Sequence, residues 1–144
     1  MNGLQKAAIP ISAGLVGFGC IALFLLMSSS EWGAPGTDVY FIYEARNRLI
    51  PFSLILIALG IVATYLVLRS NLVRLGHLSF IISVSGVALM LVGNVSEFWF
   101  FSSQPFGEVN PRLVAWLSFL LGGLLLIVGL TIFVAVPRRT KGAE

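Results

Sequence analysis

The sequence predicts an all-α integral membrane protein: an antiparallel four-helix transmembrane bundle, a single domain over residues 1–144, with both ends on the cytoplasmic side. Three observations predict it. Hydrophobic residues make up 58% of the chain and charged residues 10%, against about half and about a quarter in a soluble domain. A chain this short cannot hide so much apolar surface inside itself, so lipid must act as its solvent. Stretches 9–27, 49–68, 78–96 and 113–136 contain no charged residue. Finally, the basic residues are divided unequally between the two sets of connecting segments.

The four stretches are 19, 20, 19 and 24 residues long, and about 20 residues at 1.5 Å rise cover a ~30 Å hydrocarbon core. Backbone groups in lipid must pair within their own segment, so each stretch is expected to be helix rather than strand. The first follows Lys6 and precedes Ser28-Ser29-Ser30, a pattern that also fits a cleaved signal peptide. Its apolar run exceeds the roughly 7–15 residues of such a peptide, so it is expected to remain as a span. The second span contains Pro51, where a kink is expected. The third and fourth carry Ser79, Ser83, Gly86, Met90, Gly93 and Glu97, and Ala115, Ser118, Gly122, Leu125 and Gly129. With Ser53, Leu56, Gly60 and Ala63 in the second span and Pro10, Gly14 and Gly17 in the first, these form stripes of mostly small residues. Lipid removes the hydrophobic drive between helices, so close van der Waals approach takes its place, and small residues permit it. The stripes are therefore expected to face the bundle interior, leaving little room for a pore. Docking onto another protein's helices would require one stripe to face outward.

Orientation follows from the positive-inside rule. Lys6, Arg69, Arg74, Arg138, Arg139 and Lys141 fall on one side of four crossings, and Arg46, Arg48 and Arg112 on the other. Five of the six acids (Glu31, Asp38, Glu44, Glu97 and Glu108) join the minority basic set. The first side is thus predicted to be cytoplasmic, and the basic excess is an orientation signal rather than a nucleic-acid patch.

The connecting segments differ in kind. Segment 70–77 is short and basic, and predicts a tight hairpin between the second and third spans. The outer loops, 28–48 and 97–112, are aromatic: Trp32, Tyr40, Phe41 and Tyr43 in one, Phe98 to Phe101 and Phe106 in the other. With Trp116 they would form a belt at the outer interface. Segment 38–48 reads either as an interfacial amphipathic stretch or as an early start to the second span, with Thr37-Asp38 as a cap and Glu44–Arg48 as an i,i+4 pair.

Candidate site residues are few. Asn94 and Glu97 are three apart and share a face of the third span. Glu97 lies 20 residues, or roughly 30 Å of helix, from His77, and so near the outer boundary. Arg46, Arg48 and Arg112 fall at the same level as Glu97, Glu44 and Glu108, a mixed-charge outer cluster that either closes the bundle by ion pairs and anchors the loops at the head groups or binds a lipid head group or small anion. His77 borders the inner interface, where a snorkelling or capping role is expected. The Asn94-Val95-Ser96 glycosylation match falls within a span and reads as accidental.

The single cysteine, Cys20, permits no intramolecular disulfide and excludes thiol oxidoreductases that need cysteine pairs; it reads as a small packing residue. One histidine excludes haem held by two histidines of this chain. No glycine-rich phosphate loop, metal constellation or nucleophile–base pair is present, so neither cofactor nor catalytic centre is expected. The sequence therefore predicts a non-catalytic membrane protein, an accessory or scaffold subunit with partner contacts at its outer aromatic and acidic rim. The alternative is a small transporter or lipid-binding protein using Asn94, Glu97 and the three outer arginines. A lipid-acting enzyme is the weakest reading. The bilayer and other membrane subunits are the expected partners.

Overall fold

The computed structural model describes residues 3–28, 38–101 and 111–135 of the chain. They are helical almost throughout: α1 (Gly3–Ser28), α2 (Asp38–Leu68), α3 (Arg74–Val95) and α4 (Pro111–Ala135). A short 3-10 turn, Arg69–Asn71, ends α2, and α3 runs on into a π-helical turn, Ser96–Phe101. Each of the four helices is long and apolar enough to cross a membrane, over Ala7–Ser28, Asn47–Asn71, Arg74–Phe98 and Leu113–Ala135. All four overlap the predicted spans. Of the two readings of segment 38–48, the early start holds: α2 begins at Asp38 and continues through Pro51. The proline withholds one N–H from the carbonyl four residues back, a loss that a helix with close neighbours can make good.

Large apolar side chains cover the outside of the molecule. Phe24 is 71% exposed and Val134 83%, and Phe18, Phe52, Leu124 and Ile127 are similarly bare. The interior is narrower and holds Leu23, Leu54, Ile57, Val87, Met90, Phe119 and Leu126. Burial therefore follows one stripe on each helix rather than hydrophobicity.

The most extensive packing joins α3 to α4, followed by α1 to α2. The helices run antiparallel within each pair. Along α3 and α4, Ser79 and Ser83 lie against Gly129, Gly86 against Gly122, and Gly93 against Ala115, so that the glycines admit backbone to backbone contact. A Cβ placed on Gly86 would stand 2.5 Å from the Leu126 nitrogen, and one on Gly122 2.5 Å from the Gly86 carbonyl oxygen. The α1–α2 pair uses Gly19 against Ser53 and Ile57, and Gly60 against Ser12 and Val16. The Thr64 hydroxyl adds a polar link; it lies 2.9 Å from Ser12 Oγ and 2.8 Å from the Gly60 carbonyl, and can donate to either.

Three expectations are corrected. On α1, Ser12, Gly19 and Leu23 face inward, while Pro10, Gly14 and Gly17 are exposed. The seam lies two residues from the predicted stripe because the approach of α2 is set by Gly19. On α4, Phe119 and Leu126 are buried rather than Ser118 and Leu125. The α2–α3 connection is short, as the basic segment implied, although these two helices touch less extensively than either pair. Finally, α1 and α4 hardly touch, and space remains where little was expected. A cleft of about 400 Å³ opens at the end of the molecule that carries the α2–α3 turn, lined by Ala13 and Gly17 of α1, Thr64 of α2, Ser83 of α3, and Leu130 and Phe133 of α4.

Candidate functional site

At the opposite end, the rim end, the interior becomes polar. The buried stripe of α2 runs through Ile50, Leu54, Ile57 and Ile61, and one step of three residues before Ile50 falls on Asn47. Asn47 is accordingly buried, 7% exposed, although arginines flank it on both sides in the sequence. Across from it, the last turn of α3 brings in Asn94, which follows the close-packed Gly93 and is only 4% exposed. Asn47, Asn94 and Glu97 line one open cavity of about 210 Å³, walled by Phe98, Trp116 and Phe119, with Leu26 and Met27 of α1 on its remaining side. All four helices contribute to it.

Most buried hydroxyls in the molecule are satisfied close to home. Ser12 donates to the Ile9 carbonyl at 2.9 Å, Ser79 to Gly76 at 2.8 Å and Ser83 to Ser79 at 2.9 Å. These are ordinary helix back-bonds and make the serines packing residues. Asn94 differs: its Oδ1 is fully buried and has no hydrogen-bond partner among the described residues. A buried acceptor left unmade costs about 1–3 kcal/mol, so such an atom needs a reason. The π-helical turn that begins at Ser96 widens the backbone beside it, and turns of this kind recur at functional sites.

The predicted site residues divide as follows. Asn94 and Glu97 share the cavity, as their spacing implied, and Glu97 is half-buried. Arg48 is exposed on α2 and is not part of the cavity wall. The side chains of Arg46 and Arg112 lie outside the described residues, although their backbones belong to α2 and α4. Much of the two outer loops, 29–37 and 102–110, lies outside them too, so the predicted acidic and aromatic side chains of the partner-contact rim are represented by Glu97, Phe98 and Trp116. Sequence reasoning missed Asn47, which the α2 stripe would have revealed if followed past Leu49.

Elsewhere, Asn94 is too deeply buried to be glycosylated in the folded chain. Cys20 is a free thiol packed against the core. His77 bonds across two helices. Its Nδ1 lies 3.0 Å from the Tyr65 hydroxyl, and the Tyr65 ring stacks on Phe80 with centroids 3.9 Å apart. This cluster fastens α2 to α3 near the turn. Among the described residues there is no group of three or more His, Cys, Asp or Glu able to hold a metal ion. The chain matches no known family model, and no curated protein or solved structure matches it.

Proposed function

We propose that this chain is a non-catalytic integral membrane protein that crosses the bilayer four times with both termini in the cytoplasm, and serves as an accessory or scaffold subunit of a larger membrane complex. Four long apolar helices beneath a belt of bare Phe, Leu and Val side chains support the membrane placement. A water-facing protein rarely exposes an apolar patch of more than a few hundred Å². The six-to-three division of basic residues supports the orientation. On that reading the rim end is the outer one.

The observation that carries the subunit role is the outward stripe of α1. Pro10, Ala13, Gly14 and Gly17 are exposed, and a Cβ on Gly14 or Gly17 would meet nothing within 4 Å. On α4 the exposed positions are mostly bulky, Leu117, Leu121, Leu124 and Ile127 among them, as suits a helix facing acyl chains. Small residues facing lipid forgo that contact and instead allow a foreign helix to approach closely. The stripe borders the cleft that α1 and α4 leave open, so a partner helix laid there would cover both.

Sizing the protein in mild detergent tests the proposal. The expected result is a particle heavier than the 15.5 kDa chain, reduced to the chain alone by Gly14→Leu with Gly17→Leu. A wild-type monomer that co-purifies with nothing overturns it.

A further inference from the structure

We infer that the rim cavity is a binding site for a primary ammonium group, carried by the ethanolamine head of a lipid or by a small free amine. The inference does not depend on the partner helix proposed for α1, since it concerns the other end of the molecule and different residues.

The unpartnered Asn94 Oδ1 sets the chemistry. An amide oxygen can only accept, so whatever completes it must bring an N–H or O–H. Glu97 is the charged residue in the cavity wall, and its carboxylate can accept at about four positions, so a bond already made leaves capacity for another. A donor facing an amide oxygen beside a carboxylate is favoured when it carries positive charge, because charge-assisted hydrogen bonds are the stronger kind. Trp116, Phe98 and Phe119 supply aromatic walls, and ring faces attract cations within about 6 Å. Asn47, entering from α2, carries an acceptor and two donors, so a contact already made leaves capacity for a neighbouring polar atom of the same ligand.

Size and position narrow the choice. The cavity, about 210 Å³, is below the roughly 300–1,000 Å³ of drug-sized pockets and corresponds to about seven waters at ~30 Å³ each. An ammonium with a few attached heavy atoms fits; a large substrate does not. A quaternary ammonium would be drawn to the same rings but has no N–H to give Asn94. This difference makes the inference testable.

Two measurements on the full-length protein decide it. Native mass spectrometry follows lipid retention from nanodiscs of phosphatidylcholine and phosphatidylglycerol, with and without phosphatidylethanolamine. Calorimetry in detergent follows titration with ethanolamine, with choline as the control. Retention of phosphatidylethanolamine without ethanolamine binding identifies a lipid head group; ethanolamine binding with choline silent identifies a small amine. Either supports the site. Asn94→Asp adds charge at nearly the same shape and should tighten binding about tenfold, whereas Asn94→Leu and Glu97→Gln should weaken it about tenfold. If Asn94→Leu does not fold, the Asp and Gln variants decide alone. A wild type that prefers neither probe over its choline counterpart overturns the inference. So does an Asn94→Asp variant that loses binding as Asn94→Leu does, since that marks Asn94 as a packing residue.

Discussion

At Gly86 and Gly122 a Cβ would meet the backbone of the opposite helix at 2.5 Å, whereas at Gly14 and Gly17 it would meet nothing within 4 Å. The same residue type thus serves two situations in one chain. In α3 and α4 glycine is consumed by an internal contact, and the seam it forms is closed. In α1 the inward role falls to Gly19, and two further glycines are left on the open face. The difference teaches that small residues in an apolar helix report close approach without saying to what. Direction has to come from the fold, and here it divides the glycines into those that hold this chain together and those free to meet another.

The largest effect should come from the closed seam. Gly86→Ala or Gly122→Ala forces atoms against backbone that cannot swing aside, and each should destabilise the fold by about 1–3 kcal/mol, read as a lower midpoint of thermal unfolding in detergent. Gly19→Ala within α1 should cost less, near the low end of that range, because the first atom met is the Ile57 side chain at 2.7 Å. Gly14→Ala should reverse the sign. With no clash, relief of glycine's backbone freedom raises stability by about 0.5–1 kcal/mol, and equal destabilisation at positions 14 and 19 would abolish the comparison. Smallest of all, Thr64→Val removes the hydroxyl link to Ser12 and should cost about 0.6 kcal/mol, the usual worth of a hydrogen bond between membrane helices.

The four helices were legible in the sequence because each is a long run without charge, and length and charge can both be read without knowing the packing. The inward face of α3 was legible too: Ser79, Ser83, Gly86, Met90 and Gly93 recur at spacings of three and four, and all are buried. On α1 the same reasoning failed, since Gly14, Gly17 and Gly19 allow two competing stripes and only α2 chooses between them. On α4 leucine occupies nearly every face, so nothing in composition separates Leu125 from the buried Leu126. Asn94 and Glu97 were found by their spacing. Asn47 was not, because arginines on both sides ended the charge-free stretch before the interior of α2 did.

The antiparallel register of α3 and α4, with contacts recurring every seven residues from Ser79 with Gly129 to Gly86 with Gly122 and Gly93 with Ala115, has a consequence for how this chain can change over generations. One residue inserted or deleted inside either helix turns everything beyond it by about 100°, presenting bulky side chains where glycine had been and breaking every later contact at once. Substitutions at exposed positions of these helices can drift freely, but their lengths cannot. Variation in length should collect in the connecting segments, leaving the seam as a fixed ruler within an otherwise permissive sequence.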